Sequence, residues 1–186
     1  MSRSPWLLAL LALCPLLLRT AQAQSTVLRD AAVASGKRDA GAVTATPPRP
    51  PSEPAQEPAR RLFQAIVQDD PALAEDFFFP RDAFVQLKAM QRPERYHQRL
   101  HERFVQDIHA LHRQTADLAR ASFVKLELTS RGGWVRPGEE GNKLPYWAAR
   151  HAFLHYRVGA QRRSLEVRVL ITWQERWYVI HLREFH

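Results

Sequence analysis

The tightest constraint on how this chain can fold lies near its C-terminal end, where two apolar runs are separated by only two residues. Leu165–Trp173 and Arg176–Phe185 are rich in Val, Ile, Leu, Trp and Tyr, and Gln174-Glu175 divides them. Runs of this kind joined by so short a link read as an antiparallel hairpin. A two-residue turn pairs Trp173 with Arg176 and fixes the rest: Ile171 with Tyr178, Val169 with Ile180, Val167 with Leu182. Those side chains share one face and are all but wholly apolar, so that face turns to the core. The other face carries Thr172 with Trp177, Leu170 with Val179, Arg168 with His181, and Glu166 with Arg183. The last pair sets opposite charges across the ladder, a contribution of about 0.2–1 kcal/mol.

The pattern extends back by one strand. With Gly159-Ala160-Gln161-Arg162 as the loop, Tyr156 faces Leu165, Leu154 faces Val167 and Ala152 faces Val169. Ala152, Leu154, Tyr156 and Val158 then join the core face, while His151, Phe153, His155 and Arg157 fall on the outer face. The result is an antiparallel meander that needs helices to cover its apolar side.

Residues 1–23 have the make-up of an export signal. Arg3 supplies charge, Trp6 to Leu18 is apolar, and Ala21-Gln22-Ala23 forms a small-residue cleavage site before Gln24. The apolar run is about 13 residues, short of the roughly 20 that span a bilayer. The product is therefore expected in the periplasm or outside the cell, with no transmembrane span in the mature chain. The single cysteine, Cys14, lies inside this signal between Leu13 and Pro15. A lipid-attachment motif would carry a small residue where Leu13 stands, so the cleavage reading is preferred, and the mature chain has no thiol chemistry. Two of the 27 basic residues, Arg3 and Arg19, belong to the signal, leaving 25 against 19 acidic ones. They interleave with acids and apolar residues, a solubilising surface with no nucleic-acid motif among it.

Residues 24–57 are rich in Ala, Pro, Ser, Thr and Arg and cannot bury enough surface to offset chain entropy. They are expected to be a disordered spacer, with the folded domain over residues 58–186. Pro58 opens a helix with Leu62, Phe63, Ile66 and Val67 at helical spacing, and Asp69-Asp70-Pro71 breaks it. Asp70 caps a second helix that ends near Pro80, and residues 82–90 form a third. From Glu94 to Ala121, Tyr96, Leu100, Phe104, Ile108, Leu111, Thr115 and Leu118 mark one face of a long helix. Ser122–Ser130 alternates, with Val124, Leu126 and Leu128 on its buried side. Arg131–Tyr146, with four glycines and two prolines, is a long connection of the kind that is either a mobile loop or a lid over a ligand site, with Trp134, Tyr146 and Trp147 as candidate anchors to the domain.

Short helices, one long helix and a four-stranded antiparallel meander ending in RWYVIHLREF resemble the nuclear transport factor 2-like superfamily, which includes ketosteroid isomerases and polyketide cyclases. The resemblance implies an α+β fold, helices packed on a curved four-stranded sheet, with a cone-shaped pocket between them. A cystatin-like arrangement, one helix wrapped by a meander, is the alternative. No catalytic motif of that superfamily matches here, so the resemblance assigns no active site.

The chemistry-bearing candidates follow from the register. Asp107 sits at the edge of the long helix's apolar stripe, beside Arg103, while Arg150, Tyr156 and Tyr178 project from the core face of the sheet. Brought together they would line a pocket, with Asp107 as a general base of raised pKa and Arg150 holding a ligand carboxylate. The plainer alternative makes Arg103 and Asp107 an i,i+4 ion pair and leaves Arg150 in solvent. His97 and His101 have the spacing of a zinc helix, but Gln98 stands where a metalloprotease has its glutamate, and no third ligand is evident. No metal or other cofactor is expected. On the outer face, Phe153, His155, Arg168, Trp177 and His181 form a candidate interface for a partner or a second copy. The sequence thus points to an exported non-enzymatic binding module for a small apolar or anionic ligand or an envelope protein. The competing reading is a lyase- or isomerase-like pocket enzyme using Asp107 with Tyr156 and Tyr178.

Overall fold

The computed structural model describes residues 47–51 and 55–184, within the folding unit Ala45–His186. The expected export signal, most of the expected spacer, and Phe185 lie outside the described residues. The fold is α+β, with three α-helices, three short 3-10 turns and an open antiparallel sheet of five strands among the described residues. No helix among the described residues is long and apolar enough to cross a membrane.

The helical layer follows the apolar spacing closely. Helix α1 (Gln56–Gln68) buries Leu62, Phe63 and Ile66 and stops at Asp69, whose backbone turns left-handed at φ 56°. The Asp70 side chain then accepts a hydrogen bond from the Ala72 N–H at 3.1 Å, capping a 3-10 helix over Pro71–Phe77. Helix α2 spans Arg81–Leu87, and α3 spans Pro93–Gln114 with Leu100, Phe104, Ile108 and Leu111 buried. The long helix is shorter than expected. Asp117 takes φ 63°, and Leu118 reaches the core from a separate 3-10 turn, Leu118–Arg120.

The strands are β1 (Ala121–Glu127), β2 (Gly132–Val135), β3 (Tyr146–Val158), β4 (Gln161–Trp173) and β5 (Arg176–His181). They pair in the order β1-β3-β4-β5, with β2 on the same edge of β3 as β1. The fifth strand, β2, arises inside the expected lid. Its Gly-Gly-Trp-Val sequence is too short and too glycine-rich to read as a strand, yet it pairs Gly132 with Ala149 and Trp134 with Trp147. Only glycine fits at 132, since φ is +132° and a Cβ there would stand 2.1 Å from the Ala148 carbonyl oxygen.

Two registers differ from expectation for local backbone reasons. The β3–β4 link is the two-residue turn Gly159-Ala160, with Val158 opposite Gln161, so Leu154 faces Leu165 and Tyr156 faces Arg163. The shift is by two residues, which preserves every face. Between β4 and β5, the pairs from Trp173–Arg176 to Leu170–Val179 form as expected. A bulge then leaves Ile180 without a ladder partner and pairs Val169 with His181, so the expected Val169–Ile180 and Arg168–His181 pairs do not form. The Arg168 N–H donates instead to the Leu182 carbonyl at 3.2 Å. In β1, a bulge between Phe123 and Lys125 turns Val124 to solvent, against the expected alternation.

Ala152, Leu154, Tyr156, Val158 and Val167 are buried as expected. Phe63 of α1 covers the far end of this face, 5.3 Å from the Tyr156 ring and 6.1 Å from that of Phe123. The other face departs from the simple in–out scheme near the β4–β5 turn. Leu170 and Val179, assigned to the outer side, have 0% exposure, and Trp177 has 5%. This end of the sheet is buried on both faces.

Two substitutions test these backbone readings in opposite directions. Gln174 and Glu175 both have positive φ, 46° and 63°, a turn that favours Asn-Gly. Glu175→Gly should therefore raise stability by about 1 kcal/mol, and Gly132→Ala should lower it by more than about 1 kcal/mol, both measured by urea unfolding.

Candidate functional site

The end of the sheet that is buried twice carries a cleft. A cleft of about 800 Å³ is lined by Pro48–Pro51, Trp134, Leu144, Trp147, Thr172, Trp173 and Glu175. Pairing of β2 with β3 brings Trp134 against Trp147, ring centroids 5.5 Å apart. The Thr172 hydroxyl accepts a hydrogen bond from the Trp147 N–H at 2.9 Å and so anchors the start of β3 to β4. Leu144, on the lip, is 42% exposed, one of two large apolar side chains in the described residues left so open. Residues 47–51, within the stretch expected to be spacer, lie along the cleft. The Trp147 indole N–H donates to the Pro48 carbonyl at 2.9 Å, and the Trp177 indole N–H donates to the Pro51 carbonyl at 3.4 Å.

Beside the cleft, five polar side chains from four elements meet on the core face of the sheet. Lys88 follows α2, Glu140 lies in the 3-10 turn Glu139–Gly141, Tyr146 and Arg150 belong to β3, and His181 ends β5. The Tyr146 hydroxyl donates to Glu140 Oε2 at 2.6 Å, and Lys88 Nζ donates to the Glu140 carbonyl oxygen at 3.2 Å. Glu140 also closes an ion pair with Arg150. Burial lowers the Lys88 ammonium below its ordinary value, with Glu140 acting against the shift. Burial and the hydrogen bond to Glu140 push the Tyr146 phenol well above its usual range. Burial also lowers His181, helped by the cations Lys88 and Arg150 nearby. Perturbed groups in one place are what a reactive site requires, but here Glu140 takes up the hydrogen-bonding capacity of its neighbours. Tyr146 is held as a donor, and Arg150 already holds a carboxylate, that of Glu140.

This cluster is a clasp on the connection expected to be a lid. The Ala89 N–H donates to the Gly141 carbonyl at 2.8 Å and the Lys143 N–H to that of Leu87 at 2.7 Å. Asn142, 2% exposed, donates from Nδ2 to the carbonyls of Arg136 and Leu144. With β2 laddered to β3 as well, the segment is fastened at both ends to the domain. Sequence reasoning missed Lys88 and Glu140. Only the glycine-rich context of Glu140 hinted at a turn that would aim it inward.

The residues singled out from the sequence are not brought together. Tyr156 pairs with Arg163 and Tyr178 with Ile171, eight positions farther along β4, or about 26 Å. Tyr156 lies on Phe63, and Tyr178 packs edge-on against Phe79, centroids 5.8 Å apart. Asp107 is buried elsewhere, accepting from the Arg183 N–H at 3.2 Å with Arg103 Nε at 3.6 Å. Burial raises its carboxyl, and both arginines oppose the shift. The Arg103–Asp107 ion pair is the i,i+4 alternative. Arg150 faces Val169.

Of the candidate interface, Phe153 and His155 remain partly open on the outer face, with His155 Nε2 3.4 Å from Glu127. Arg168 is engaged by Glu166 and Glu184, Trp177 is covered, and His181 has moved to the core face. His97 and His101 are spoken for separately. The buried His97 ring donates from Nε2 to the Phe79 carbonyl at 2.7 Å, and His101 meets Glu75. Among the described residues no group of three or more His, Cys, Asp or Glu side chains is placed to hold a metal ion.

Two measurements probe these electrostatics. Glu140→Ala should cost about 1–3 kcal/mol in urea unfolding, and in a double-mutant cycle with Tyr146→Phe the two losses should fall short of additive. Burial lowers both His97 and His181 from the ordinary value of 6.5. Below that value the unfolded chain binds more protons than the folded one, so stability is full above about pH 6.5 and falls as the pH drops toward the folded values. Asp107, being raised, works in the opposite sense at lower pH. His97→Gln keeps a donor for the Phe79 carbonyl but takes no proton, so the loss between about pH 7 and pH 5 should shrink. An unchanged slope in that range would remove His97 as its source.

Comparison with protein-family models, curated proteins and solved structures found no match for this chain.

Proposed function

We propose that this chain is an exported, non-enzymatic binding module of the cell envelope, with the tryptophan-lined cleft as its ligand site. The observation that carries this reading is the company the tryptophans keep. Trp134 and Trp147 stand paired at the mouth of a cleft of about 800 Å³, with Leu144 left exposed beside them. Apolar walls with a few directed polar groups, here the Trp147 indole N–H and Thr172, are the usual make-up of a ligand site. Export rests on the composition of residues 1–23. The nuclear transport factor 2-like arrangement, a curved sheet with helices over its concave side, belongs to the same proposal. Its support is the order of elements, helices first and the meander last. Buried residues from all of α1, α2 and α3 favour it over a single helix wrapped cystatin-fashion.

A lyase- or isomerase-like enzyme would need Asp107, Tyr156 and Tyr178 around one cavity, and the spacing of the two tyrosines argues against that. The two readings separate in one experiment. The exported protein, purified from its own envelope fraction, is analysed by native mass spectrometry for retained ligand, beside Trp134→Ala and Asp107→Asn. The binding-module reading expects retained mass in the unaltered protein and in Asp107→Asn, and its loss in Trp134→Ala. Loss in Asp107→Asn alone would return the site to the helix–sheet interior.

A further inference from the structure

Resting on that reading of the cleft, we infer that its ligand is a proline-rich, arginine-bearing peptide in extended conformation, and that Pro47–Pro51 is a built-in occupant competing for the same place. The segment reads Pro47-Pro48-Arg49-Pro50-Pro51. Proline fixes φ near −65°, and a residue before proline is driven to extended or polyproline conformations. Four prolines in five residues thus make a left-handed helix of three residues per turn with unbonded carbonyls. The carbonyls taken by the two indole donors are those of Pro48 and Pro51, three residues apart, hence one turn apart on one side of such a helix. Aromatic-lined grooves that receive a preformed proline helix are a general mode of peptide recognition. Glu175 lines the same cleft as Arg49 and suits a ligand carrying a cation.

The seat of the segment is shallow. Pro47, Pro48, Arg49 and Pro50 are all exposed, and a cleft of about 800 Å³ stays open beside the segment that forms one of its walls. Residues 52–54 alone separate it from Ala55, where the domain resumes. So short a tether gives an effective concentration on the order of millimolar. A peptide arriving from another chain must outcompete that local supply, so the segment sets a threshold without blocking the site.

The test uses the full chain and a fluorescein-labelled peptide of residues 45–52, Ala-Thr-Pro-Pro-Arg-Pro-Pro-Ser, followed by anisotropy. Pro48→Gly with Pro50→Gly loosens the internal segment, which is exposed and adds nothing to the core. That variant should bind the peptide at least ten-fold more tightly than the unaltered protein. Adding Trp147→Phe, which keeps the ring and removes the N–H donor, should reverse most of the gain while circular dichroism stays unchanged. Equal binding by the loosened and unaltered proteins, or a gain indifferent to Trp147→Phe, overturns the inference. Dimers that the peptide dissociates, seen by sedimentation, would make the outside occupant a second copy of this chain and would overturn a foreign peptide partner. A retained envelope ligand lost in Trp134→Ala but unaffected by the peptide would leave the cleft reading standing and remove only the proline-rich ligand.

Discussion

The fold depends on the β3–β4 hairpin having two halves with different surroundings. Both strands run 13 residues, farther than α1 can cover. Toward the Gly159 turn, one face meets Phe63 and the other carries His155, Glu166 and Arg157, the alternation of a sheet with one wet side. Toward the opposite end, Leu170 and Val179 on one face and Ile171 and Tyr178 on the other are all buried. A sheet buried on both sides needs two covers. Phe79 and Phe84 supply one, through Tyr178 and Trp173. The tryptophans of β2, β3 and β5, with the proline segment against them, lie on the other.

The sheet is also open, and an open sheet must deal with its edges. At β1 the side-chain amide of Gln56 donates to the Leu126 carbonyl at 2.9 Å and accepts from the Leu126 N–H at 2.8 Å. One glutamine thus takes the place of a strand residue and locks the start of α1 to the edge it shields. At β5 the backbone of Phe78 bridges Val179 in parallel, with the Phe79 N–H on the Val179 carbonyl at 3.0 Å. The His97 ring then takes the carbonyl of that same Phe79, so α3, the edge segment and β5 form one connected unit. Burial lowers the pKa of this histidine, since a charged ring at that depth would have to be desolvated.

What the sequence made legible was periodicity. The apolar stripes of α1 and α3, the Asp70 cap, the core face of β3 and the first pairs of the final hairpin all follow from spacing alone. The errors cluster where one residue changes backbone state. Gly159 at φ 59° permits a two-residue turn where four residues were allotted, and parity forgives the difference. At Ile180 the discrepancy is a single residue, so parity does not forgive it, and His181 changes sides. His151, at φ 56° within β3, and the bulge after Phe123 are of the same kind. The polar clasp was illegible for another reason. Lys88, Glu140, Tyr146 and His181 are spread over 94 positions of sequence, and only the docked β2–β3 connection makes them neighbours.

The same distinction bears on function. A general base needs a proton-accepting group facing open space, with its pKa tuned by what surrounds it. Asp107 has the raised carboxyl, but an N–H of Arg183 and the guanidinium of Arg103 occupy it. Lys88 and Tyr146 have displaced pKa values, but Glu140 takes up their hydrogen bonds. In both places the shifted groups are paired with other groups of the protein, the signature of structural polar packing. The cleft shows the reverse pattern. Its ionisable lining is sparse, its apolar side chains are left partly exposed, and the Trp147 indole donor is spent on the exposed Pro48. Open apolar side chains beside an indole donor engaged by an exposed proline segment support the proposed recognition over chemistry, and it is there that the architecture of this sheet leaves capacity unspent.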